Sequence, residues 1–183
     1  RASGGSHEAI GVGGYDEPRV VYTSPAFQGA GVLAESRTVH LGVDLTAPQG
    51  TEVRAPLGGV VHGFEDAATR LDYGPVIVLR HEQAGAPFFT LYGHLDRASI
   101  DGLHVGKTVA RGERLGWIGA PPDNGDWWPH LHFQVIADML DVPCNVNGSA
   151  RPSAREVWTS LCPDPNLVLG IPEARLPQRR TTA

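Results

Sequence analysis

Three short runs of the chain set imidazole and carboxylate side chains at spacings that could hold a metal ion and use it. In Val39-His40-Leu41-Gly42-Val43-Asp44-Leu45, strand alternation places Val39, Leu41, Val43 and Leu45 on one face and His40, Gly42 and Asp44 on the other. The apolar face can pack while the other presents an imidazole and a carboxylate, and Gly42 between them is expected to leave room for an ion. Pro129-His130-Leu131-His132-Phe133-Gln134-Val135 repeats the logic, with Leu131, Phe133 and Val135 facing one way and His130, His132 and Gln134 the other. A third run, Phe88-Phe89-Thr90-Leu91-Tyr92-Gly93-His94-Leu95, brings a histidine to its end beside a glycine that permits close backbone approach.

Taken singly, each run reads more readily as ordinary strand than as ligand. Together they favour a metal. Catalytic zinc commonly takes three protein ligands from neutral imidazole and carboxylate at about 2.0 to 2.2 Å, leaving the fourth tetrahedral position open to water. Four histidines and one aspartate fill such a site and leave two imidazoles over, the groups a hydrolase uses for proton transfer and for stabilising an oxyanion. His7, His62, His81 and His104 lie outside these runs and read as structural or surface residues, and Asp123, Asp126 and Asp138 as solvated loop carboxylates.

The elements that must position these groups are short. From Arg19 onward, β-branched and aromatic runs such as TVHLGVDLTA, GPVIVLRH, FFTLYGHL and PHLHFQVI are separated by Gly and Pro. That punctuation predicts a mainly β chain folded as a compact antiparallel sheet or barrel. The 183 residues, with 23 Gly and 15 Pro, suit one turn-rich domain. Residues 1–18, Gly- and Ser-rich at their start, read as a flexible lead-in that carries no chemistry. Residues 19–140 read as the metal-bearing domain and 141–183 as a C-terminal extension. Within that extension a short helix is expected near Pro152-Ser153-Ala154-Arg155-Glu156, with Ser153 as N-cap, Val157 and Leu161 as its apolar stripe and Pro163 as its stop. The closing RLPQRRTTA reads as a solvated basic tail.

A formal net charge of -5 provides no basic footprint, which argues against nucleic acid as a partner. No apolar run approaches the roughly 20 residues of a membrane span, and no charged-then-apolar signal segment opens the chain. Cys144 and Cys162 read as two unpaired thiols. A start at Arg1 instead of Met is expected of a processed form or of a piece of a longer chain.

With these runs in order, the sequence resembles the LytM/lysostaphin-type zinc endopeptidases. HLGVD at 40–44, YGHL at 92–95 and HLHFQV at 130–135 carry the resemblance, which extends over residues 22–136 and includes APQGTEVRAPLGGVV. It implies one zinc ion on His40, Asp44 and His132, with His94 and His130 as the catalytic pair. It also implies a peptide or peptidoglycan-like substrate, cut at an amide by water that zinc polarises and the two histidines orient and deprotonate. The chain departs from the pattern at 120–129, where APPDNGDWWP replaces a small Gly/Ser/Thr-rich stretch. It departs again at Tyr73-Gly74-Pro75, with Pro for a common Asn, and at Gln134, which stands for a common Glu.

These changes leave the five site residues intact but alter the expected wall of the groove, where Trp127 and Trp128 read equally as substrate surface or as loop packing. Three functions follow: a peptidoglycan-type endopeptidase, a zinc hydrolase of the same fold acting on a small non-wall amide or peptide, and a non-catalytic binding or regulatory module. The last is weakest, because the full set of five is present. The tail from Asp138, with the GYDEPRVVYTSPAF opening, also resembles the version of this domain that neighbours kinase-like and aminotransferase domains in larger bacterial proteins. The sequence leaves the compartment open: the cell envelope for a wall hydrolase, the cytoplasm for such a fusion.

Overall fold

A computed structural model describes residues 10–29 and 35–177. The strands, in chain order, are β1 (Gly11–Gly13), β2 (Val39–His40), β3 (Val43–Thr46), β4 (Glu52–Arg54), β5 (Gly59–Ala67), β6 (Gly74–Gln83), β7 (Ala86–Gly93), β8 (Thr108–Val109), β9 (Arg114–Trp117), β10 (His130–Ile136) and β11 (Ser149–Ala150). Seven of them form one antiparallel sheet in the order β1-β3-β10-β7-β6-β5-β8. β2 with β11 and β4 with β9 make two small antiparallel ribbons. The main sheet is open, so of the sheet or barrel expected it is the sheet, with β1 and β8 at its edges.

The centre of the sheet follows from residue type. β6 reads PVIVL through its middle, buried on both faces, and its alternate residues divide between two apolar clusters: Val76 and Val78 join one, Ile77 and Leu79 the other. Its hairpin to β7 pairs Gln83 with Ala86, leaving Ala84 and Gly85 at φ 51° and 81°. A two-residue connection needs positive φ at both positions to match strand twist, and Gly85 supplies one of them without strain.

The two clusters give the sheet its layers. Val53, Ala55 and Leu115 of the β4–β9 side pack against Ile77, Leu79, Tyr92, Leu131, Phe133 and Val135. On the other face Val39, Leu41, Cys144, Val146, Ala150 and Cys162 pack against Val76, Val78 and Leu91. In β10 the expected alternation therefore holds, with Leu131, Phe133 and Val135 committed to one layer while His132 and Gln134 point to the other.

Several expectations are corrected. The run from Val39 to Leu45 is not one strand: β2 and β3 are separate, because Leu41 and Gly42 leave the ladder and the Leu41 N–H donates instead to the Gly148 carbonyl (3.0 Å). Gly11–Gly13, placed in the flexible lead-in, is an edge strand paired with β3. Within the lead-in, residues 1–9 lie outside the described residues.

A short helix is present, α1 (Arg155–Leu161), preceded by one 3-10 turn at Pro152–Ala154, and a second helix, α2 (Asn166–Leu169), follows Pro163. Ser153 does not cap α1. Ala154 occupies that position without a side-chain bond, and the backbone N–H and hydroxyl of Ser153 both go to the Glu35 carboxylate. Val157 is 68% exposed, while Trp158 and Leu161 pack on the core. Of the expected stripe Leu161 holds its place, and only Val157 gives way to its neighbour Trp158.

Candidate metal centre

His40 ends β2, Asp44 lies in β3 and His132 in β10, where pairing sets His132 directly opposite Asp44. Nε2 of His40 is 3.0 Å from Nδ1 of His132, and Oδ1 of Asp44 is 3.3 Å from the first and 3.2 Å from the second. Tetrahedral ligands at about 2.0 to 2.1 Å from a zinc ion would stand about 3.3 Å apart. The three atoms therefore fit as corners of one coordination shell.

The outer nitrogens support the same conclusion. Nδ1 of His40 meets the Gly14 carbonyl at 2.8 Å and Nε2 of His132 meets Oε1 of Gln134 at 2.9 Å. Both partners only accept, so in the neutral rings those nitrogens carry the protons and the inward pair present lone pairs. Two lone pairs and a carboxylate oxygen then face one another in a buried site, an arrangement that could hold a cation. Burial alone would raise the pKa of Asp44, but His40 and His132, when their inward nitrogens carry protons, act by charge and hydrogen bonding to hold it well below the usual carboxylate range. Burial is the main cause that lowers His132 below a free imidazole, with His40 adding to it and Asp44 opposing it.

Gly42 serves differently from expectation. A Cβ there would lie 2.5 Å from Cε1 of His132 and 2.8 Å from the Phe133 carbonyl, so the room it leaves is filled by the His132 ring.

His94 and His130 come together as expected, with ring centroids 4.4 Å apart. His94 sits just beyond β7 at φ 63°, a left-handed conformation rarely adopted by a residue with a side chain. Its N–H donates to Tyr73 O (2.9 Å) and its carbonyl accepts from Gly119 N (2.9 Å), which together hold the turn. Nδ1 of His94 donates to Asn124 O (3.0 Å) and Nδ1 of His130 to Trp128 O (2.6 Å). Each neutral ring therefore keeps Nε2 as an acceptor, and that of His130 lies 3.7 Å from Oδ2 of Asp44. Burial first, then the imidazoles of His130 and His132, push the pKa of His94 well below that of a free histidine.

Sequence reasoning missed Asn124, fully buried in the 120–129 loop. Its Nδ2 donates to Trp127 O (2.8 Å) and its Oδ1 accepts from Trp127 N (3.1 Å), so it folds the loop that supplies the carbonyl for His94. A lone Asn in a polar loop carries no periodic signal. Trp127 and Trp128, read alike, have different places. Trp127 donates Nε1–H to Asp72 O (3.0 Å) and stands edge-on to Tyr22 and near Phe27, whereas Trp128 is 79% exposed. Trp127, Tyr22, Phe27, Tyr73, His94 and His132 border a cavity of about 490 Å³.

The remaining groups read as spectators largely are so. His81 is buried between Gly58 O and the Thr90 hydroxyl, His62 packs on Phe89 and His104 is exposed. Asp123 and Asp126 pair with Arg97 and Arg70, and Asp138 caps Leu140 N. Cys144 and Cys162 are buried free thiols. His7 lies outside the described residues.

Residues 38–144 match the profile of peptidase family M23. The chain is 32% identical over 126 residues to a DD-carboxypeptidase/endopeptidase, Mpg, of Neisseria meningitidis, covering 67% of this chain and 26% of the relative. It is 29% identical over 101 residues to the peptidoglycan DD-endopeptidase ShyC of Vibrio cholerae, covering 55% and 21%. The chain thus spans about a quarter of the length of these relatives. The catalytic domain of the antimicrobial peptidase lysostaphin from Staphylococcus simulans superposes with a TM-score of 0.50 at 24% identity, over 79% of this chain and 89% of that one, which shows a shared fold. With more than half of its length inside the M23 profile, the chain belongs to peptidase family M23, whose members are zinc-dependent peptidases.

Proposed function

We propose that this chain hydrolyses a peptide amide bond, with one zinc ion on His40, Asp44 and His132 and with His94 and His130 as its catalytic pair. The observation that carries the reading is the convergence of three lone-pair atoms within 3.3 Å of one another while the outer ring nitrogens of both histidines are committed elsewhere. When bound, zinc supplies a Lewis acid for the scissile carbonyl and lowers the pKa of water at its open corner. His94 and His130 hold their Nδ1 protons on backbone carbonyls, so each offers Nε2 to accept a proton from the attacking water. The depressed pKa of His94 keeps that nitrogen in its accepting form at neutral pH. Once protonated, either ring donates to the leaving amine or to the oxyanion.

The substrate we propose is a peptide of peptidoglycan type, on the ground that one relative is named a peptidoglycan DD-endopeptidase and another a DD-carboxypeptidase/endopeptidase. The aromatic border of Trp127, Tyr22 and Phe27 favours, as a second reading, a short free peptide or small amide that fits a cavity of about 490 Å³. Purified peptidoglycan and a panel of short peptides, each incubated with and without chelator, separate the two. Chelator-sensitive release of wall fragments supports the first, and cleavage confined to short peptides supports the second. No cleavage of either by zinc-loaded protein overturns both.

A further inference from the structure

The lead-in, residues 1–18, was expected to carry no chemistry, yet polar atoms between Gly14 and Arg19 converge on two of the three candidate ligands. The Gly14 carbonyl accepts from Nδ1 of His40 (2.8 Å), and the backbone of His40 is clasped on both sides, its N–H donating to Glu17 O (3.0 Å) and its carbonyl accepting from Asp16 N (2.8 Å). Glu17 ties the segment together: Oε1 accepts from Gly14 N (3.0 Å) and from Nε of Arg19 (3.1 Å). Nη1 of Arg19 in turn donates to Oδ2 of Asp44. Gly13 lies opposite Asp44 in the β1–β3 pairing, and a Cβ there would stand 2.6 Å from Nη2 of Arg19. The absence of a side chain lets the guanidinium cross the edge strand.

We infer that Gly14, Glu17 and Arg19 form an outer shell of the metal centre, and that Arg19 is a positioning residue that keeps Asp44 a one-oxygen ligand. The inference rests on the metal site proposed above. Oδ1 of Asp44 is the atom facing His40 and His132, while Oδ2 is taken by Arg19 and lies 3.7 Å from Nε2 of His130. A carboxylate with a free second oxygen can turn to give both oxygens to one cation. That change would fill the corner that the reaction needs. The guanidinium, half-buried and charged at all working pH values, holds Oδ2 away from it. Gly14, by fixing the proton of His40 on Nδ1, does the corresponding work for the imidazole. All three residues lie outside the 38–144 match to the family.

The test compares the unsubstituted chain with Arg19→Gln and Arg19→Lys in two readouts that do not depend on turnover: zinc affinity by chelator competition, and the visible spectrum of the cobalt-loaded protein, which reports coordination number. Arg19→Gln is expected to weaken zinc about ten- to a hundredfold and to move the cobalt spectrum toward higher coordination. Arg19→Lys, which keeps one charged donor, is expected to fall between. Unchanged affinity and spectrum in Arg19→Gln overturns the inference, and so does Arg19→Lys performing no better than Arg19→Gln. Should both variants fail to fold, Glu17→Ala releases Arg19 and Gly14 together and is read the same way, an unmoved affinity and spectrum again overturning the inference. Failure of the metal site itself has a different sign: the unsubstituted chain takes up no zinc, or His132→Ala takes up as much.

Discussion

Nδ1 of His94 donates across 3.0 Å to the backbone carbonyl of Asn124, thirty residues further along the chain. That bond makes the 120–129 loop the support of an imidazole we propose as catalytic, and it sets the first prediction. Asn124→Ala removes two buried hydrogen bonds to Trp127 and should destabilise the protein by about 1 to 3 kcal/mol, seen as a lower thermal midpoint. Turnover should fall while zinc affinity stays within about threefold, since Asn124 touches no ligand. A large loss of zinc in this variant would show that the loop supports the metal itself.

The two histidines of β10 should separate by role. His132→Ala is expected to abolish zinc binding and activity, whereas His130→Ala should retain zinc and lose about 10² to 10⁴-fold in kcat. Metal content by atomic absorption beside peptide turnover distinguishes them. Loss of metal from His130→Ala would make it a ligand and undo the division.

Gly42 is packed against the ring it permits. Gly42→Ala puts a methyl 2.5 Å from Cε1 of His132 and 2.8 Å from a backbone oxygen that cannot yield. Overpacking of this kind costs about 1 to 3 kcal/mol, and here the displaced group is a proposed ligand. Thermal denaturation of the metal-free chain and zinc titration should both show the defect; an unchanged zinc affinity would contradict the placement of the ring.

Gln134 explains its own departure from a common Glu. Oε1 accepts from Nε2–H of His132, while Nε2 donates to Asn147 O (3.2 Å) and to Sγ of Cys162 (3.2 Å). Gln134→Glu keeps the first bond and replaces both donations with a carboxylate oxygen facing a carbonyl. The metal-free protein should lose about 1 to 3 kcal/mol at neutral pH, measured by urea denaturation, and regain part of it in acid as the carboxyl protonates. A variant as stable as the parent would mean that the 134–147 contact is not a hydrogen bond of consequence.

His81, away from the metal, should shape the acid limb of stability. Burial lowers its pKa below the ordinary 6.5, against the raising effect of the Gly58 carbonyl. A depressed folded pKa means that the unfolded chain takes up the proton first. The stabilisation is therefore complete above about pH 6.5 and is lost as the pH falls from there through the depressed value. Denaturation of the metal-free chain between pH 7 and 5 should show a shallower fall for His81→Gln than for the parent. Equal slopes would remove His81 from the account.

The amino-acid order alone was enough to select His40, Asp44, His94, His130 and His132, to predict an antiparallel β fold and to assign the inward and outward faces of β10. Those properties are carried by residue type and by a two-residue period, which are local. Tertiary structure decided what the selected residues touch. The inward nitrogens of His40 and His132 meet across 92 positions of sequence, and the proton on each is placed by Gly14 and Gln134. Gln134 shares the face of His132 in sequence, but Gly14 could not be chosen beforehand, since a backbone carbonyl is available at every residue and only packing says which one arrives. Gly42 shows the same limit: its missing side chain was legible, but whether an ion or a ring would use the space depended on how β10 lay against the turn between β2 and β3. So too with Trp127 and Trp128, identical in type and adjacent in sequence, of which only the fold turns one toward the cavity and the other toward solvent.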